Sequence, residues 1–111
     1  MKKKYQFLVL SNPVEGREDE YNDWYTNQHL DDILKLPGAV AAKRFKLTDV
    51  QRAEPPHEYK YLAVYDIETD DLTKFTETLK QKSAAGELAR STALGPKRLS
   101  LIFEQFAEKT K

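Results

Sequence analysis

Apolar and polar positions along this chain alternate with period two, switch to a three-to-four-residue spacing, and switch back, and the switches mark its elements. Residues 4–10 set Tyr5, Phe7 and Val9 on one side and Leu8 and Leu10 on the other, which predicts a strand buried on both faces. Asn12-Pro13 and Gly16 break it. From Arg17 to about Leu34 the spacing is helical: Tyr21, Trp24, Tyr25, Gln28 and His29 share one side, and Leu30, Ile33 and Leu34 continue an apolar one. Glu18, Asp19 and Glu20 crowd the first turn, where the helix dipole favours negative charge, and Pro37-Gly38 ends the run. Residues 39–47 read as a second strand and a polar loop through Glu54-Pro55-Pro56 follows. Residues 57–67 form the clearest strand, with Tyr59, Tyr61, Ala63 and Tyr65 opposite Leu62 and Val64. Asp70 or Asp71 caps a second helix through Leu72, Phe75 and Leu79 to about Lys82. Residues 83–97 read as irregular, with one helical turn around Glu87–Arg90 and a stop at Gly95-Pro96, and residues 98–106 as a last strand.

The order β-α-β-β-α-β over residues 1–111 predicts one ferredoxin-like α+β domain, a four-stranded antiparallel sheet with two helices on one face. Two helices hide one face of a sheet whose first strand is apolar on both. An uncovered face of that size is a sticky patch, and the economical cover is a second copy, so we expect a homodimer whose two sheets enclose a barrel-like interior. If Leu62 and Val64 pack under the helices, Tyr59, Tyr61 and Tyr65 face that interior beside Arg44 of the neighbouring strand.

Charge and composition narrow the chemistry. Eighteen Lys plus Arg balance eighteen Asp plus Glu, so no global field attracts a phosphate backbone or an anionic membrane, and neither nucleic acid nor membrane is an expected partner. The apolar part of the N-terminal stretch is too short for a signal peptide or a bilayer span, which gives a cytoplasmic expectation. With no cysteine, disulfides, thiolate metal sites and cysteine nucleophiles are ruled out. Chemistry rests on His, Tyr, Arg and carboxylates. No phosphate loop, G-x-G-x-x-G or G-x-S-x-G occurs. His29 and Asp32 have a chelating i, i+3 spacing but lack further ligands, so no metal and no cofactor is expected.

The segment from Tyr21 to Gly38, YNDWYTNQHLDDILKLPG, resembles the signature of the dimeric α+β barrel superfamily, and within it EthD-like proteins, where an aromatic-rich first helix leads to a His and then a Pro-Gly before a strand. Such sequences often carry a proline two residues after the histidine; here Asp31 stands there, so the helix runs on. The resemblance implies a small pocket between the first helix and the sheet, lined in part by His29. The superfamily includes cofactor-free monooxygenases of quinol-like compounds, muconolactone-type isomerases, polyketide cyclases and haem-processing enzymes, and fold does not choose among them.

His29 is the first candidate for catalysis because imidazole titrates near neutrality, with Tyr25 one turn before it as a hydrogen-bond partner. Against this stands a half-buried structural histidine near a helix end. Tyr21, Trp24, Arg44, Tyr59, Tyr61 and Tyr65 are candidates for holding a small hydrophobic or aromatic ligand, their rings giving contact area and their polar atoms orientation. Each tyrosine also reads as plain packing with a satisfied hydroxyl, and Trp24 as a core anchor. His57 reads as a loop-edge residue. Three functions follow: an enzyme doing proton transfer or oxygenation on a small aromatic, quinol-like or polyketide-like compound; a non-catalytic metabolite-binding or accessory protein; and a dimerisation module without a pocket.

Overall fold

Each strand of the sheet finds its partner through a long stretch of regular pairing. The computed structural model describes residues 1–111. Its strands are β1 (Lys3–Pro13), β2 (Ala39–Lys46), β3 (Tyr61–Thr69) and β4 (Leu94–Glu104), and its helices α1 (Glu18–Trp24), α2 (Leu30–Leu34) and α3 (Leu72–Ala84). A π-helical turn, Tyr25–His29, joins α1 to α2 without a break. The sheet has four strands in the order β2-β3-β1-β4, every neighbouring pair antiparallel, which is the ferredoxin-like arrangement. Asp71 caps α3, its Oδ1 accepting from the Lys74 amide at 3.0 Å.

Several details differ from the expectation, the first being that β1 runs on through Asn12 to Pro13, where the sequence marks a break. Strand β3 starts at Tyr61 rather than 57, because its pairing with β2 ends at Lys46↔Tyr61 and the chain before it has no strand to join. Strand β4 starts at Leu94 and takes in Gly95-Pro96, which the sequence marks as a stop. It lies at the sheet edge, where proline is tolerated, and its register with β1 shifts between Ser11 and Pro13. The helical turn around Glu87–Arg90 is absent. Hydrogen bonds to other elements hold that segment instead: Trp24 Nε1 donates to the Ala89 carbonyl at 3.1 Å, and the Ala89 amide donates to Asp32 Oδ2 at 3.3 Å.

The larger difference concerns which way β3 faces. Tyr61, Ala63, Tyr65 and Ile67 are buried in the core with Tyr21, Tyr25, Ile33, Leu36 and Phe75, so the tyrosine side lies under the helices. Leu62 and Val64 face away from the helices, and the inward placement of Tyr61 and Tyr65 toward a sheet–sheet interior is corrected. Bulk decides it, since helices stand about 10 Å from a sheet and aromatic rings fill that gap better than Leu62 and Val64. Register then makes the opposite face apolar across three strands: Leu8 pairs with Val64 and Leu101, and Leu10 with Leu62 and Leu99. On this face Leu101 and Phe103 are 46% and 54% exposed. The molecule is a slab with extents of 44 × 42 × 20 Å.

Gly95 locks the β4 bulge to β1. A Cβ there would sit 2.7 Å from the Asn12 carbonyl oxygen, a backbone atom that cannot swing aside. Gly95→Ala is expected to lower stability by about 1–3 kcal/mol, as overpacking does, read as a lower urea midpoint at unchanged slope.

Candidate functional site

The π turn determines where the site residues stand. In an α-helix residues four apart stack along one face, whereas a π turn closes i→i+5, and here the Leu30 amide donates to the Tyr25 carbonyl. Trp24 and His29, five apart, are therefore brought one above the other: their rings stack with centroids 4.7 Å apart and planes at 26°. Tyr25 meets the imidazole edge-on at 5.0 Å and 88°. The ring of His29 is held between two aromatic partners, and its Nδ1 is buried without a hydrogen-bond partner.

A cleft opens beside this clamp, between the helices and the β1/β4 side of the sheet. Its larger lobe, about 620 Å³, is lined by His29 and Ile33 from the first helical run, Phe7 and Val9 from β1, Tyr65 from β3, Leu79 and Lys80 from α3, Leu88 and Arg90 from the 85–93 segment, and Arg98 and Ser100 from β4. An adjoining lobe of about 290 Å³ adds Trp24, Tyr25 and Ser11 and shares His29, Arg90 and Arg98. His29 thus stands where the two lobes meet. Burial lowers its pKa to about 4, with Arg98 contributing in the same direction and Asp32 opposing. The imidazole is neutral at pH 7 and accepts rather than donates a proton. Burial also raises the pKa values of Tyr25 and Tyr65, so both phenols stay protonated. Both hydroxyls are buried, and each acts on the ionisation of the other.

The candidate residues fall into two groups. Trp24, Tyr25, His29 and Tyr65 line the cleft. Tyr21, Tyr61 and Arg44 form a neighbouring knot in the core. Tyr21 Oη shares a 2.6 Å hydrogen bond with Ser11 Oγ, and Tyr61 Oη donates to Glu18 and accepts from Asn22 Nδ2. The Arg44 guanidinium lies over the rings of Tyr25, Tyr21 and Tyr61, with centroids at 4.5, 5.3 and 5.3 Å, while its Nη1 donates to Thr26 Oγ1 at 3.0 Å. Tyr59 precedes β3, half-buried under Lys97, and lines a separate hollow with Tyr61, Leu10 and Phe45 rather than the cleft. His57 is exposed, its Nε2 3.0 Å from the Ala53 carbonyl oxygen. Asp32 is engaged with Ala89, and no group of three or more His, Cys, Asp or Glu side chains is placed to hold a metal.

Sequence reasoning missed Arg98, Ser100, Arg90 and Lys80. A signal for two of them lay in β4, where Arg98 and Ser100 alternate with Leu99 and Leu101 and so share the face opposite the leucines. Arg90 sits in an irregular segment with no periodicity to read.

The buried imidazole has a stability consequence. With a folded pKa near 4 against about 6.5 unfolded, the unfolded chain binds a proton that the folded one refuses, so stability falls as pH drops from 6.5 toward 4. His29→Gln removes this dependence. Wild type is expected to lose roughly 2–3 kcal/mol more than the variant over that window in urea unfolding.

No family model matches the sequence. The chain is 39% identical over 84 residues to core atranone cluster protein 1 of Stachybotrys chlorohalonatus, the match covering 69% of this chain and 33% of that one. It thus spans about a third of the length of this curated relative. In structure it is similar to an EthD-family protein of Bacillus halodurans, with TM-score 0.66 and 17% identity over 93% of this chain and 99% of the other. A dimeric ferredoxin-like protein of Thermobifida fusca matches with TM-score 0.59 and 12% identity over 93% and 92% of the two chains. No helix is long and apolar enough to cross a membrane. With its strand order, its helices on one face and these likenesses, the chain has the ferredoxin-like α+β fold of EthD-family structures.

Proposed function

We propose that the chain is an enzyme that works as a homodimer and uses the cleft of each protomer to take a proton from a small, largely apolar, oxygen-bearing ring compound. The observation that carries the reading is His29: a neutral imidazole, fixed by ring contacts on two sides, at the junction of two adjoining cavities. A base must be neutral and aimed before substrate arrives, and burial keeps it neutral across the physiological range at a cost in basicity. It takes a proton from a carbon beside a carbonyl, the electron pair moves onto the carbonyl oxygen, and the enolate is then reprotonated at another carbon or closes a ring onto a second carbonyl. With dioxygen as oxidant the same electron-rich species is the one oxygenated. Protonated Tyr25 and Tyr65 lie buried in the wall beside the imidazole and hold its surroundings neutral. Tyr21, Tyr61 and Arg44 buttress the helix that carries His29. The name of the Stachybotrys relative, which refers to a core atranone cluster, supports a small molecule as substrate.

Surface area supports the dimer. A compact 12.9 kDa monomer exposes about 6,300 Å², whereas this chain exposes 8252 Å², and the surplus is about twice what one partner gives to a standard interface, which falls in the range of obligate dimers. The apolar outer face of the sheet is the patch to cover, and a second copy presents the same patch. The Thermobifida neighbour, described as dimeric, supports the same arrangement.

Two measurements test the reading. In D2O, wild type is expected to speed exchange of the α-hydrogens of 2-tetralone, followed by NMR, and His29→Gln to lose 10²–10⁴-fold of that rate. Exchange no faster than in buffer, while the ketone still binds, replaces the enzyme with a binding protein. In light scattering the wild type is expected to run as a dimer at micromolar concentration and Leu101→Glu as a folded monomer, since a charge buried between sheets goes unpaired.

A further inference from the structure

Charge is distributed unevenly around the cleft. Lys80, Arg90 and Arg98 line the larger lobe and not one Asp or Glu does; Arg90 and Arg98 also line the smaller lobe, again without a carboxylate. The whole chain carries equal numbers of cationic and anionic side chains, so this excess is local. The three cations are also absent from the ion pairs of the fold. Their sequence neighbours Lys82 and Lys97 are paired with Glu87 and Glu58, while Lys80, Arg90 and Arg98 are not paired with any carboxylate. Arg90 is nonetheless held in place, its Nη2 donating to Ser83 Oγ at 3.1 Å and to the Ser83 carbonyl at 3.4 Å at the end of α3. Unlike charges scattered over a surface, these converge on one concavity, where low-dielectric walls concentrate their field. The remaining lining is apolar, with Phe7, Ile33, Leu79 and Leu88 facing the same space.

We propose that the cleft recognises a carboxylate: its ligand is an apolar ring compound bearing an acid group, whose oxygens lie between Arg90 and Arg98 while the ring packs against Phe7, Ile33, Leu79 and Leu88. This deepens the proposed function by naming the acid as the handle that orients substrate against His29; it rests on the cleft being a small-molecule site and is independent of turnover. Guanidinium groups suit the role because two parallel N–H donors match the two carboxylate oxygens. Lys80, on α3 at the rim, adds charge without fixed direction.

The test compares 2-naphthoate with 2-naphthamide, which share one ring system and differ in charge, by calorimetric titration into the full chain. The acid is expected to bind at one molecule per chain and at least tenfold tighter than the amide, a margin that shrinks as salt is raised. Arg98→Met and Arg90→Met keep the flexible apolar stem of the side chain without its charge, and each is expected to reduce the margin about tenfold while leaving the amide unchanged. Equal binding of acid and amide, binding of neither, or a margin that survives both substitutions overturns the proposal. Loss of the D2O exchange activity with acid selectivity intact removes the catalytic reading and leaves this one standing.

Discussion

Strand alternation gives every strand two sides, and in this sheet β3 and β4 spend theirs in opposite ways. The bulky side of β3, Tyr61 and Tyr65, fills the space under the helices, and Leu62 and Val64 take the outer face. On β4 the helix-facing positions beside the cleft are Arg98 and Ser100, followed by Ile102 opposite Phe7, while Leu99, Leu101 and Phe103 point outward. Polar positions on the helix side leave β4 with little to attract a packed cover, so that side stays open as a cleft. Apolar positions on the other side give the outer face a continuous greasy surface. Both features come from one choice of parity.

The element order and most boundaries were legible because period two and period 3.6 are strong signals over runs of eight or more residues. Facing was less legible. Tyr61 and Leu62 are both apolar enough to be buried, and alternation says only that they are on different sides; which side meets the helices depends on the depth to be filled, a tertiary quantity. The aromatic stripe of the first helix was readable as a set, yet its geometry was not, since an i, i+4, i+8 reading assumes an unbroken α-helix. Asp31 in place of a proline correctly signalled that the helix continues. Arg90 was out of reach because its position is fixed by Trp24 and Asp32 gripping Ala89, a long-range arrangement with no local pattern.

Around His29 the fold trades solvation for aim. The imidazole gives up water on its Nδ1 side and gains two ring contacts, so its orientation comes from dispersion and stacking rather than from the carboxylate or carbonyl partner that commonly orients a histidine. Asp32 acts on the ring only through space, without a hydrogen bond to it, and burial prevails over it in setting the pKa. The 85–93 segment that lines the cleft is tied back to the helix through Trp24, so the residue that stacks on the base also anchors that wall.

The π turn at Tyr25–His29 is equivalent to one surplus residue lodged in an otherwise α-helical run. Counting along the chain therefore misleads: positions before and after the turn differ in phase by about 100°, the rotation of a single α-helical residue. Any relative lacking that residue would carry its histidine on a different side of the helix even with identical flanking sequence, and an ungapped alignment would pair residues that do not occupy equivalent places. Length between Trp24 and His29, more than the identity of the residues between them, is then the quantity that keeps the histidine facing the cleft.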